Sequence, residues 1–195
     1  MSTLSGTVLD MVNDEQTRDV WGRRAERYAR TSQRVERLTI GDSRRWIGAR
    51  ATGRTLDVAA GPGRTFPWYD NQVRLVAVDA SPGMLAVARR RATDLGRTIE
   101  VIEARAEALP FPDRDFDTVV CTLALCEVDD REASLDEMYR VLRPGGRLLL
   151  LDHLERRWRH GRPADLAIRR GFRVERRERL RLGLIERLAA IRPAA

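Results

Sequence analysis

A series of short stretches in this chain is apolar at almost every position: TLDVAA (55–60), VRLVAVD (73–79), IEVIEA (99–104), FDTVVCTLAL (116–125) and RLLLLDH (147–153). A strand with one wet face alternates apolar and polar residues. Runs without that alternation are covered on both faces, as in a parallel sheet held between two layers of helices. Helical segments separate the runs. Ser81 is placed to cap a helix that Pro82 opens, with Met84, Leu85, Ala88 and Ala92 on its inner face. Asp129 or Asp130 starts another, in which Leu135, Met138, Tyr139 and Leu142 recur at helical spacing until RPGG (143–146) stops it. Strand alternating with helix reads as an α/β domain with right-handed crossovers.

Flanking this core, residues 14–50 read as helix, with Val20, Ala25, Tyr28, Ala29, Val35 and Leu38 as an imperfect apolar face. The expected organisation is a helical amino-terminal cap over residues 1–50 and one structural unit over 51–195. Past Arg156 a short helix is expected near 164–170. Then GFRVERRERLRL and IERLAAIRPA read as an antiparallel pair at the sheet edge. A chain of 195 residues has room for one such domain.

Composition excludes several classes. No apolar run approaches the ~20 residues of a bilayer span, and MSTLSGTVLDMVNDEQ lacks a secretory pattern, so the expectation is a cytoplasmic protein. Cys121 and Cys126 are the only cysteines, and they suit neither a disulfide framework nor a zinc site; no metal is expected. The net charge of +7 comes from 36 basic residues, all arginine, scattered among 29 acids. They form no stripe with interleaved aromatics, which argues against nucleic acid. The basic segment 156–181 leaves peripheral contact with an anionic membrane open, and the chain is expected as a monomer or homodimer.

Function concentrates in TLDVAAGPGR (55–64). A buried strand that gives way to Gly61-Pro62-Gly63 lets a ligand lie against bare backbone, because no Cβ blocks it and positive φ costs glycine nothing. The next strand ends in Asp79, where a doubly wound sheet places a carboxylate to accept the hydroxyls of a ribose. An adenosine-bearing ligand is implied. A dinucleotide fingerprint wants a third glycine, yet position 66 is Phe66, and the charge of Asp57 would repel a diphosphate while suiting a cationic sulfonium and ammonium.

With these residues in order, the chain resembles the class I S-adenosylmethionine-dependent methyltransferases, in the branch of methyltransferase type 11 and the ubiquinone and menaquinone methyltransferases. The likeness runs from about Val20 to His153 and is carried by LDVAAGPG, VAVDASPGMLAVA, ARAEALPFPDRDFDTVVCTLALCEV and RVLRPGGRLLLLDH. FPWY, VVCTLALCEV and RVLRPGG are also similar to methyltransferase-like enzymes that methylate alkyl thiols. The resemblance implies a Rossmann-like three-layer sandwich on a seven-stranded, mostly parallel sheet in the order 3-2-1-4-5-7-6. It implies S-adenosyl-L-methionine as cofactor and S-adenosyl-L-homocysteine as product. Ala59, Ala60, Gly61 and Gly63, with Asp57 before them, would line the methionine part, and Asp79 would hold the ribose. Ala80 and Met84 would flank the adenine, and Arg105, Ala106 and Glu107 would meet its edge. Cys121 with Thr122 would close the methionyl side, and Tyr28 would lie over the cofactor.

Three departures from the family pattern stand out. Ala59 replaces the first glycine of the turn. Arg105 stands where an aspartate often contacts the adenine amino group, and it cannot accept that hydrogen bond. The segment after His153 is short, which leaves the acceptor site open or completed by another subunit.

Direct in-line transfer from a sulfonium needs alignment and shielding more than a base. His153, at the end of RLLLLD, is a candidate base whose plainer role is a strand-end hydrogen bond; His160 reads as solvated. Cys126 and Glu127 follow the fourth strand on the ligand edge and complete the candidate catalytic set. Cys126 equally suits a small core residue, and Glu127 a helix start. No Asn/Asp-Pro-Pro-aromatic motif follows that strand, which disfavours N-methylation of bases or glutamine. The expected function is methylation of a small molecule at a thiol, hydroxyl or amine. The alternatives are a phospholipid headgroup N-methyltransferase and a non-catalytic cofactor-binding subunit.

Overall fold

The computed structural model describes residues 40–153, 162–180 and 183–194. Tyr28, His160 and most of the expected cap lie outside the described residues. Seven strands form one sheet: β1 (Arg54–Val58), β2 (Arg74–Asp79), β3 (Glu100–Glu103), β4 (Phe116–Thr122), β5 (Leu142–His153), β6 (Arg173–Leu180) and β7 (Ile185–Ile191). Their order is β3-β2-β1-β4-β5-β7-β6. β1 to β5 pair in parallel, whereas β7 inserts antiparallel between β5 and β6. This is the Rossmann-like sheet that the sequence led us to expect, with the carboxyl-terminal pair at its edge.

Burial explains why β1, β2 and β4 and the second half of β5 carry no polar alternation. Leu56 and Val58 pack into a cluster on one face with Phe116, Leu148 and Leu150. Ala77, Val120, Leu149 and Leu151 pack into a second cluster on the other face, under Ile47, Phe66 and Tyr69. Each face removes apolar area from water at about 25 cal/mol per Å², so neither can be left bare. No helix among the described residues is long and apolar enough to cross a membrane.

The helices are α1 (Ser43–Gly48), α2 (Pro82–Asp94), α3 (Arg131–Val141) and α4 (Pro163–Arg169). Ser81 caps α2 by accepting from the Met84 N–H at 3.4 Å, and Met84, Leu85, Ala88 and Ala92 are buried. Asp130 caps α3, accepting from the N–H groups of Glu132 and Ala133.

The expected boundaries differ in three places. Of the helix read through 14–50 only 40–50 falls within the described residues, and there α1 begins at Ser43, after Gly41 takes φ +55°, a conformation that a right-handed helix cannot pass through. β4 ends at Thr122 and does not reach Leu125, since Leu123 turns at φ +57° while its N–H reaches the Leu151 carbonyl. RPGG lies inside β5, because Leu142 is already extended at ψ 141°. Its glycines form an irregularity in the pairing with β4 and exchange hydrogen bonds with Arg192.

Candidate functional site

β1, β2, β4 and β5 run parallel, so their carboxyl ends meet on one edge, where open α/β sheets bind ligands. The turns that follow β1, β2, β3 and β4 line a cavity of about 180 Å³.

Its floor is the turn after β1. Ala59, Gly61 and Gly63 take φ of +50°, +56° and +72°. Ala59, Ala60 and Gly61 line the cavity, and nothing lies within 4 Å of where a Gly61 Cβ would project. Gly61 therefore offers bare backbone to a ligand. Gly63 is not among the lining residues; a Cβ there would strike the ring of buried Phe66.

Asp79 ties this turn to the second strand. Its Oδ2 accepts from the Gly61 N–H at 2.8 Å and its Oδ1 from the Ser81 N–H at 2.9 Å. Burial raises its pKa, and those backbone donors pull it back. Each oxygen can accept a further hydrogen bond, and Asp79 lines the cavity together with Ala80 and Met84.

The loop after β3 forms a wall with Arg105, Ala106 and Glu107. The Arg105 guanidinium pairs with Asp129 at 2.9 Å and Glu107 at 3.5 Å. Glu107 Oε1 also accepts from the N–H groups of Asp129 and Asp130. These bonds clasp the loop after β3 to the loop after β4.

Thr122 and Glu127 line the opposite wall. Cys121 does not: it belongs to the core, where burial pushes its thiol well up. Cys126 and His153 are also absent from the lining. The Cys126 N–H donates to Asp152 Oδ2 at 3.1 Å and the His153 N–H to Asp152 Oδ1 at 2.7 Å. Burial first, then the Asp152 charge, pushes the Cys126 thiol up, which makes it a poor nucleophile. Asp152 itself is pushed up to about 6 by burial.

Asp57 lies behind the floor, 1% exposed. Its Oδ2 accepts from the Tyr69 hydroxyl at 2.9 Å, while Oδ1 has no hydrogen-bond partner among the described residues. Burial pushes its pKa up to about 7 against the pull of that hydroxyl and of Arg44.

Sequence reasoning missed Arg44 and Arg64, both of which line the cavity. Arg44 is brought in by α1, far along the chain from the glycine turn, and no spacing could have signalled it. Among the described residues no cluster of histidine, cysteine, aspartate or glutamate could hold a metal ion.

Bare Gly61, the Asp79 carboxylate, a buried unpartnered carboxylate oxygen and cationic side chains together fit a nucleoside that carries a charged amino acid. Comparison with known proteins agrees. Residues 56–150 match the family model described as a methyltransferase domain. A ubiquinone/menaquinone biosynthesis C-methyltransferase of Hahella chejuensis is 42% identical over 123 residues, covering 60% of this chain and 48% of that protein. A demethylmenaquinone methyltransferase of Renibacterium salmoninarum is 41% identical, with 59% and 50% covered. The chain thus spans about half the length of the curated relatives it matches. Among solved structures, an S-adenosylmethionine-dependent methyltransferase from Aquifex aeolicus shares the fold with TM-score 0.69 and 21% identity, covering 88% of this chain and 98% of that one. Residues 56–150 are thus similar to a methyltransferase domain, and the described residues share the Rossmann-like fold of a solved S-adenosylmethionine-dependent methyltransferase.

Proposed function

We propose that this protein transfers a methyl group from S-adenosylmethionine to a small molecule. The observation that carries this reading is the joining of Gly61 and Asp79, both of which line the cavity, by one hydrogen bond. That bond sets bare backbone beside a carboxylate suited to a ribose. The cofactor, when bound, supplies a methyl group already activated on a sulfonium.

The chain's own part is binding, alignment and exclusion of water. Ala80 and Met84 offer apolar cover for a base, and Arg105 and Glu107 close that end. Cys121 and Gly63 support the site from behind, holding Thr122 and the turn in place. Of the candidate catalytic residues, Glu127 lines the cavity and could take a proton from an acceptor hydroxyl or thiol. Cys126 and His153, both fastened to Asp152, would position that loop.

For the acceptor, the relatives named for quinone biosynthesis add a ring carbon to the thiol, hydroxyl and amine expected from the sequence. A quinol fits the apolar Leu123, Ala124 and Val128 that line the cavity next to Glu127. Transfer of labelled methyl from the cofactor to a panel of quinols, phenols, thiols, amines and phospholipid vesicles tests the reading. Label in a quinol, phenol, thiol or amine supports it. Label in the vesicles alone would favour headgroup methylation. Cofactor binding without label in any acceptor would reduce the protein to a cofactor-binding subunit.

A further inference from the structure

The edge of the sheet opposite the site described above begins with two cations side by side. β1 and β2 start at Arg54 and Arg74, which are partners in the first row of their parallel register. Neighbouring strands lie about 4.8 Å apart, so paired guanidiniums repel unless an anion answers them. Arg54 is answered by Asp115 at 3.2 Å, and it also lies over the Phe116 ring with its guanidinium carbon 5.0 Å from the ring centroid. Arg74 is exposed and forms no ion pair among the described residues. Asp117, a carboxylate within electrostatic reach of Arg74, already accepts from the Arg143 guanidinium and the Arg54 N–H.

Both arginines line a second cavity, of about 630 Å³, at the amino-terminal ends of β1, β2 and β3. Arg97, on the connection from α2 to β3, lines it too. Its guanidinium donates to the carbonyl oxygens of Phe66 at 3.0 Å, Tyr69 at 2.7 Å and Asp70 at 2.9 Å. These neutral acceptors hold the guanidinium in place and leave its charge uncancelled. Glu100 lines the cavity as well, and α2 ends beside it at Leu95. A helix carboxyl end carries about half a negative charge. Three guanidiniums outweigh that half charge together with Glu100 and Asp115, so the cavity is cationic.

We propose that this second cavity binds a small phosphoryl anion, of the size of phosphate or pyrophosphate, between Arg54 and Arg74. A carboxylate offers two oxygens and matches the fork of one arginine, whereas a tetrahedral phosphoryl group offers enough oxygens to meet two guanidiniums on adjacent strands. Asn71 and Gln72, also in the lining, add amide donors without adding charge. The assignment is independent of the cofactor reading, because its residues belong to the other ends of the strands.

Calorimetric titration with sodium pyrophosphate at low ionic strength tests it, on the wild-type chain and on Arg54→Gln, Arg74→Gln and Glu100→Gln, with thermal unfolding to show that each variant is folded. Wild type should take up one pyrophosphate per chain. Arg54→Gln and Arg74→Gln should each weaken binding by about tenfold or more, as loss of a charge-assisted hydrogen bond does. Glu100→Gln should strengthen it by about twofold to fivefold, because a repelling carboxylate is removed. Saturating S-adenosylhomocysteine should leave the pyrophosphate affinity unchanged. Absence of pyrophosphate binding, or a change within twofold in either arginine variant, would overturn the assignment. Displacement of pyrophosphate by S-adenosylhomocysteine would overturn it by moving the anion to the first cavity. A single-stranded RNA of twelve nucleotides binding more tightly than pyrophosphate would overturn it in favour of a nucleic-acid surface.

Discussion

Asp57 shows how much one buried carboxyl can weigh. Its pKa is 3.8 in an ordinary setting and about 7 here, mainly because burial disfavours the charged form. Between those values the folded chain holds a proton that the unfolded chain has released. Stability therefore falls as pH rises from about 4 to about 7 through this group, and the penalty is complete above that. Asp57→Asn carries no such charge. In denaturant unfolding followed from pH 4 to pH 8, the difference in stability between variant and wild type should grow in the variant's favour across that window and level off above it. A difference that stays flat across the window would mean that the Asp57 carboxyl titrates normally. The same substitution should weaken binding of a cationic cofactor most at high pH, where the wild-type carboxyl is ionised.

Turns carry the site, and the turn after β1 divides its work between two glycines. Both adopt positive φ, yet Gly61 faces open space while Gly63 faces the buried ring of Phe66. Gly61→Ala should cost about 1 kcal/mol of stability, the cost of a side chain in left-handed backbone. It should also weaken S-adenosylhomocysteine binding sharply, because the new methyl group enters the cavity. Gly63→Ala should cost at least about 2 kcal/mol, since a backbone-fixed collision with Phe66 adds to the same φ penalty. Thermal unfolding of both variants with ligand titration separates the two roles; identical profiles would refute the division. At the next element, Asp130→Ala removes the acceptor for two N–H groups at the start of α3. That change should cost about 1 kcal/mol by denaturant melting.

The sheet as a whole links ligand to fold, because the cavity is built from the ends of strands that form its centre. A ligand held by the turn after β1, the end of β2 and the end of β4 binds the folded chain and not the unfolded one. At 100 times its dissociation constant S-adenosylhomocysteine should add about 2.7 kcal/mol. For a chain of this size that raises the unfolding midpoint by about 5–10 °C. The same experiment at rising concentrations should give a logarithmic increase. No shift at saturating ligand would show that the cavity does not bind it.

The sequence by itself determined the sheet. Apolar runs without alternation demand cover on both faces, and the spacing of Ser81, Pro82, Asp130 and the glycines sets most helix boundaries through short-range hydrogen bonds and φ preferences. Asp79 and Gly61 were legible for the same reason: each lies at a strand end whose position is fixed by local pattern. Boundaries set by longer-range pairing were not, as Leu123 shows by turning where its N–H meets Leu151. Only tertiary structure decided which residues share the cavity. It brought in Arg44 from α1, placed Cys121 and Gly63 behind the wall, and fastened Cys126 and His153 to Asp152. Neighbours in space that are remote in sequence leave no periodic trace, because their meeting depends on how whole elements pack.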